Sequence, residues 1–196
     1  QLAQPGDAFP TTIGGKPVLL VHGRDGEIRA FHNVCRHRGA VLVDKPCKGL
    51  AALTCPYHAW AYGLDGSLRT RLHFDGAGKH DLSGQGPGLV PIPMAMWFRA
   101  IFINLDGKAE PFEDYIAPLG ARLPHHDLGA LRLHKTVEWE FRANWKLVFE
   151  NYFDNYHIGT IHPKLDAFAP MVDRRGFEPL GKFLHTELYF DAPEDG

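Results

Sequence analysis

In the first half of the chain the apolar residues come in short runs broken by turn formers, and that rhythm predicts strands. Residues 16–22 are a β-branched, apolar run. Arg24-Asp25-Gly26-Glu27 follows, with the Asp-Gly pair that suits the positive φ angles of a tight hairpin. Residues 28–34 read as the returning strand, 51–55 and 61–64 as two more, and a second Asp-Gly turn at Asp65-Gly66 leads into 68–72. Short strands at this spacing predict a small antiparallel sandwich or barrel. Residues 80–88 are rich in Gly with Ser and Gln and read as a loop. Residues 96–105 read as an apolar strand that returns to the same sheet, ended by Asp106-Gly107.

The pattern then changes. Residues 111–124, bounded by Pro at each end, predict a short helix. Residues 131–141 alternate apolar and polar positions (Leu133, Val137, Trp139, Phe141) and predict a strand. Residues 144–157 contain no Gly or Pro and begin at Asn144, a good N-cap, so they predict a helix. Trp145, Leu147, Val148, Phe149, Tyr152, Phe153 and Tyr156 cover nearly its whole circumference, which predicts burial. Yet Asn151, Asp154 and His157 fall at i, i+3, i+6 along one face. A buried acid and amide are costly unless each has a partner, so this face is a candidate site. Signals weaken after Pro163, with one more strand expected over 183–190. No internal repeat is evident.

The chemistry is concentrated in two places. Cys35-Arg36-His37 is followed, after seventeen residues, by Cys55-Pro56-Tyr57-His58. The pattern C-x-H-x17-C-x2-H supplies two thiolates and two imidazoles as two Cys–His pairs. That is the ligand set of a [2Fe–2S] cluster with two Cys on one iron and two His on the other. Each pair gives one ligand to each iron, so the two loops must face each other. Gly39 lets the first loop turn closely, Pro56 stiffens the second, and Tyr57 and Trp60 can shield it from water. The same donor types also suit a structural zinc ion, but the usual zinc-finger order is Cys, Cys, His, His, and here it alternates. Downstream, His157 and His162 can supply the two imidazoles of a non-haem iron site, which takes two His and one carboxylate on one side of the metal. Gly159 and Pro163 predict that the helix loosens or ends between them.

These residues carry a family resemblance. The run C-P-Y-H-A-W-x-Y at 55–62 resembles the Rieske domain of ring-hydroxylating oxygenases, many of which have Gly where this chain has Ala59. The run E-N-x-x-D-x-Y-H-x4-H from Glu150 to His162 is similar, position by position, to the mononuclear-iron motif of Rieske oxygenase α subunits. The resemblance implies an all-β Rieske domain (an antiparallel sandwich) over 1–107. It implies that 108–196 are the first part of an α+β, helix-grip type catalytic domain. It further implies that the chain lacks a short N-terminal segment and much of the catalytic domain. Cys35 and Cys55 would hold the buried iron of a Rieske [2Fe–2S] cluster, and His37 and His58 the outer one. His157 and His162 would hold a mononuclear Fe(II). The carboxylate ligand is expected beyond Gly196, because Asp166, Asp173 and Asp191 lie too close in sequence to His162. Asp154 would bridge the iron site to a cluster His of a neighbouring subunit, which implies a homotrimer or an α3β3 ring. Asn151 would face the iron, or else make a helix–helix hydrogen bond.

The implied reaction uses dioxygen and electrons from NAD(P)H, delivered through a reductase, a ferredoxin or both, to hydroxylate a small organic substrate, expected to be an aromatic ring or similar, as in aromatic hydrocarbon catabolism. Aromatic rings, aromatic acids and quaternary amines are all used in the family. The alternative from another class is a Rieske electron-transfer protein with no chemistry of its own, which leaves Asp154, His157 and His162 unexplained.

Composition changes this picture little. The 196 residues carry a net charge of −2, so nothing points to a nucleic-acid or membrane partner. No apolar run approaches a membrane span. Three Cys, two of them at cluster positions, do not make a disulfide framework, and a reducing cytoplasm is expected. Cys47 reads as a free thiol in a loop. The His residues outside the motifs, His73 and His80 among them, read as structural or surface groups.

Overall fold

The computed structural model describes residues 2–76, 78–123, 127–168 and 175–187. The chain divides into two compact units, Gln1–Ala109 and Glu110–Gly196. Among its described residues the first unit holds nine strands in three antiparallel sheets. β1 (Ala8–Ile13), β2 (Lys16–His22), β3 (Ile28–His32) and β7 (Pro91–Ile92) form a four-stranded sheet in that order. β4 (Leu53–Thr54), β5 (Ala61–Tyr62) and β6 (Leu68–Thr70) form a second, and β8 (Met94–Trp97) with β9 (Ala100–Ile103) a two-stranded hairpin.

The continuous apolar run of β2 is explained by cover on both faces. Leu19 and Val21 point into a core shared with Phe31, Leu53, Tyr62 and Leu68, while Val18 and Leu20 pack with Ala30, Ile92, Met94 and Ile103. Cys35 and Cys55 belong to the first of these cores and are each 2% exposed. The two cluster loops therefore grow directly out of packed apolar structure, and this fixes where their side chains start.

Both Asp-Gly turns are built alike, a repeat the sequence reading overlooked. In each, a Gly–x–Asp–Gly–x–(Ile/Leu)–Arg segment closes with Gly N–H to the carbonyl four residues on, Gly23 to Glu27 and Gly63 to Ser67. The Asp accepts the amide two residues later and pairs with the Arg at i+4, Asp25 with Arg29 and Asp65 with Arg69. A Cβ on Gly23 or Gly63 would collide with that ion pair, which accounts for the glycines. A cavity of about 440 Å³ lies between the two brackets.

The 96–105 run is corrected. It is not one strand returning to the first sheet: it turns at Phe98, which takes a φ of 54°, so Met94–Trp97 and Ala100–Ile103 pair with each other. The strand that reaches β3 is the short Pro91–Ile92. Strands 28–34, 51–55, 61–64 and 68–72 are all shorter than their apolar patterns, because the chain leaves the ladder to form the loops.

In the second unit, α1 spans Phe112–Arg122 and a single 3-10 turn spans Leu128–Ala130. α2 spans Trp145–Phe153, α3 Ile158–Ile161 and α4 Pro163–Phe168. β10 (Arg175–Leu180) and β11 (Phe183–Glu187) form a hairpin. It is tied to α1 by Tyr115 against Phe183, with ring centroids 5.0 Å apart, and to Glu110, just before the helix, by Lys182 Nζ to Oε1 at 2.5 Å. The strand expected over 183–190 is β11, and its last three residues lie outside the described ones.

Two expectations fail here. Residues 131–141 form no strand: alternation supplies a face, but a strand also needs a hydrogen-bonding neighbour, and none pairs with it among the described residues. The 144–157 helix is neither continuous nor buried. Asn144 caps it as expected, its side chain accepting the Lys146 N–H at 3.0 Å, but α2 stops at Phe153. Trp145 and Tyr152 are 69% and 87% exposed, because no described residues pack over these faces.

Candidate metal centres

The first centre lies between two loops of one design. In the first loop Cys35 N–H donates to Ala40 O and Gly39 N–H to Cys35 O. In the second loop Cys55 N–H donates to Trp60 O and Ala59 N–H to Cys55 O. Each is thus a six-residue turn whose fifth residue has positive φ, 73° at Gly39 and 55° at Ala59. Ala59 takes the left-handed backbone that Gly takes freely, at about 1 kcal/mol. A Cβ on Gly39 would touch nothing, so the cost there is backbone alone. We expect Ala59→Gly to stabilise the loop, and Gly39→Ala to destabilise it, each by about 1 kcal/mol in urea unfolding. Equal or reversed signs would show that the two loops are not equivalent.

The loops bring the two predicted imidazoles together, and both predicted thiols lie in one apolar core. His37 and His58 meet edge to face with ring centroids 4.6 Å apart. The Nδ1 atoms of both are buried and have no hydrogen-bond partner. Burial, then the neighbouring His58 and Arg38, hold His37 below its ordinary pKa, so its ring nitrogen keeps a lone pair. Trp60 lies parallel to His37 at 4.8 Å and 7°, and Tyr57 covers His58 at 3.8 Å. Of the two predicted shields, Trp60 is buried at 5% exposure and Tyr57 is 62% exposed.

Two residues that sequence reasoning missed complete this centre. Tyr62 is fully buried, and its hydroxyl accepts the Arg36 N–H at 3.0 Å and lies 3.3 Å from Cys35 Sγ. Once Cys35 is the thiolate a metal requires, its sulfur can only accept, and the Tyr62 hydroxyl proton is directed to it. Burial and the contact with Cys35 push the Tyr62 pKa up, so it stays a donor. Its signal was present in the 55–62 run: a buried Tyr needs a polar partner. Asn33 accepts the Leu42 and Val43 amides at 3.2 and 3.1 Å and donates to Val43 O at 2.7 Å, pinning the chain that leaves the first loop.

The second centre is organised by the end of α2. Asp154 caps it in extended conformation, and its Oδ1 accepts the Tyr156 N–H at 2.8 Å. Its Oδ2 lies 3.0 Å from His157 Nδ1. The His157 contact, with that amide, holds the Asp154 carboxyl below its usual range, so it is a carboxylate. It fixes the Nδ1–H tautomer of His157 and leaves Nε2 as the free donor atom. His157 then caps the start of α3 and His162 its end, so the i, i+5 spacing is one short helix with a His at each terminus. Their rings lie 5.3 Å apart at 70°. Asp154 and His157 are neighbours as expected, but across a chain turn and not along one helix face. Asn151 is exposed on α2, and its side chain makes no hydrogen bond among the described residues. Asp166 sits beside Gly159, with Oδ2 3.6 Å from where a Cβ would lie. Asp173 and Asp191 lie outside the described residues. No carboxylate joins His157 and His162 as a third ligand among the described residues.

Comparison with known proteins settles the family. The family described as Rieske [2Fe-2S] domain matches residues 1–76, and that described as Ring hydroxylating alpha subunit (catalytic domain) matches residues 128–190. The carnitine monooxygenase oxygenase subunit of Acinetobacter pittii is 35% identical over 188 residues, 95% of this chain and 48% of that protein. The chain belongs to the Rieske oxygenase α-subunit family. It spans about half the length of the curated relatives it matches. The Escherichia coli K12 carnitine monooxygenase oxygenase subunit is 37% identical over 83% of this chain and 44% of its own length. Among solved structures, the quaternary ammonium Rieske monooxygenase CntA with an inhibitor aligns at TM-score 0.75 and 33% identity, covering 91% of this chain and 49% of that one. Naphthalene 1,2-dioxygenase from Rhodococcus sp. aligns at 0.67 and 30%, covering 85% and 39%.

The two matched domains of this Rieske oxygenase family imply a [2Fe–2S] cluster and a mononuclear iron. The first centre fits: two buried thiols and two orphaned buried Nδ1 atoms are the donor set such a cluster needs. A structural zinc ion needs four donors around one point. Among the described residues no group of three or more His, Cys, Asp or Glu could hold one ion, whereas two irons take two donors each. The second centre fits in part, supplying two imidazoles with one tautomer fixed. No described helix is long and apolar enough to cross a membrane.

Proposed function

We propose that this chain is the oxygenase component of a Rieske non-haem iron monooxygenase. Electrons from NAD(P)H reach it one at a time through a reductase, with or without a ferredoxin. The observation that carries the reading is the pair of unpartnered, buried Nδ1 atoms on His37 and His58, whose rings meet at 4.6 Å, in two loops whose Cys35 and Cys55 lie in one apolar core. Buried polar atoms left without partners in a well-packed loop call for a ligand.

Cys35 and Cys55 are the ligands of the inner iron and the two Nδ1 atoms those of the outer one. When bound, the cluster stores one electron at a time and the mononuclear Fe(II) activates dioxygen. The chain's own residues prepare both places. Tyr62 donates to Cys35 Sγ, Trp60 keeps water off one face of His37, and Asn33 holds the first loop shut. Asp154 orients His157 so that Nε2 is presented beside His162, and the carboxylate ligand comes from elsewhere in the subunit. The side chain of Asp154 is half exposed, at 50%, which leaves it room to accept a third donor. We assign that donor to a cluster His of a neighbouring subunit, so the working unit is a trimer or an α3β3 ring.

For the substrate we infer a quaternary ammonium compound and not an aromatic ring. Support comes from relatives named for carnitine and glycine betaine, which match 83–95% of this chain at 34–37% identity. Iron and sulfide analysis with reduced-state EPR tests the cluster. Stoichiometric zinc and a colourless protein would reject it. Oxygen uptake by the complete subunit with its reductase tests the substrate, and turnover of naphthalene but not of carnitine, glycine betaine or choline would reverse that assignment.

Tyr62→Phe provides a finer check. Hydrogen bonds to cluster sulfurs raise the reduction potential. Losing one worth about 1 kcal/mol should lower the midpoint by roughly 40 mV, and an unchanged potential would remove Tyr62 from this role.

A further inference from the structure

Arg71 lies outside every motif above, yet it is built against the first centre. Its guanidinium carbon lies over the Trp60 ring at 5.6 Å and over Phe74 at 4.0 Å. Phe74 meets Trp60 edge-on at 5.8 Å, and Trp60 in turn lies flat on His37. Arg71 is not left to find this place by itself. Asp81 accepts from its Nε at 2.6 Å and from its Nη2, and the two residues also exchange both backbone hydrogen bonds, at 2.8 and 3.0 Å. The Ser83 hydroxyl and amide, with Arg71, hold the Asp81 carboxyl down to about 2, so it is an anion at any working pH. The two side chains are only 19% and 12% exposed, so salt screens them less than a surface pair. Surface stability does not explain an ion pair set on the indole that covers a cluster histidine.

We propose that Arg71 tunes the cluster: clamped by Asp81 over the indole that lies on His37, its fixed positive charge raises the cluster's reduction potential. The inference rests on the cluster reading above. The sign follows from charge. Two ferric ions, two sulfides, two thiolates and two neutral imidazoles sum to zero, and one added electron leaves a single negative charge. A fixed cation nearby favours the reduced form, and a fixed anion disfavours it.

The test is the midpoint potential of the cluster-loaded chain at fixed pH and ionic strength. Arg71→Gln should lower it and Asp81→Asn should raise it, with the double variant close to wild type. A merely structural pair predicts otherwise, since either single change breaks the same contact and both would move the potential alike. Arg71→Lys keeps the charge and loses the flat stacking, and it should stay near wild type. Shifts of the same sign in Arg71→Gln and Asp81→Asn, no shift in either, or a fall in Arg71→Lys as large as in Arg71→Gln would overturn the proposal. If Arg71→Gln loses the cluster, the rise in Asp81→Asn and the constancy of Arg71→Lys decide it. Absence of the Rieske EPR signal from wild type would instead overturn the underlying cluster reading.

Discussion

Cys35→Ala is expected to abolish the iron–sulfur chromophore outright. Each loop gives one ligand to each iron, so losing this thiolate leaves the inner iron with one protein ligand and breaks the link between the loops. The metal-free fold should survive. A buried Cys packs as a small hydrophobe, and shrinking one side chain by a single atom costs about 1 kcal/mol. Circular dichroism of the metal-free variant should therefore match metal-free wild type while visible absorbance and the EPR signal vanish. Cys47→Ala is the control. Its thiol is half-buried and only donates to Lys45 O at 3.3 Å, so its loss should leave the colour unchanged. A coloured Cys35→Ala, or a colourless Cys47→Ala, would reassign the ligands.

The cluster donors were legible because their chemistry is local: each Cys–His pair sits inside one six-residue turn, and side chains two or three apart in such a turn share its mouth. The Asp-Gly hairpins were legible for the same reason. What the sequence hid depends on partners. Residues 131–141 alternate without a strand to pair with among the described residues. Residues 96–105 read as one strand because nothing in Trp97-Phe98-Arg99 signals a turn, and only the structure reveals Phe98 at positive φ. The helix read through to His157 because Asp is tolerated near a helix end. In the fold Asp154 bonds the Tyr156 amide instead, the local competition that makes Asp a helix terminator. Tyr62 and Arg71 act through residues 27 and 11 positions away, Cys35 and Trp60, and no spacing rule announces such contacts.

Asp154→Ala is the second large effect, and it should fall on electron transfer and not on cluster content. Asp154 is not one of the cluster donors, so the cluster spectrum of the complete subunit should be unchanged. Loss of its Oδ2 frees His157 Nδ1 and loosens the ring. Changing a group that orients a ligand in this way costs roughly 10–100-fold in metal affinity, so iron at saturating supply should still fill most sites. If the carboxylate also bridges to a neighbour's cluster His, its removal breaks the short path for the electron. Single-turnover product from pre-reduced protein should then fall at least tenfold per bound iron. Asp154→Asn separates the two roles. The amide oxygen can still accept from His157 Nδ1 and hold its tautomer, but it carries no charge to strengthen a hydrogen bond from a second imidazole. Restored iron affinity with product yield still low would support the bridge. Near-stoichiometric product from folded, iron-loaded Asp154→Ala would confine Asp154 to positioning His157 and remove the structural argument for a ring of subunits.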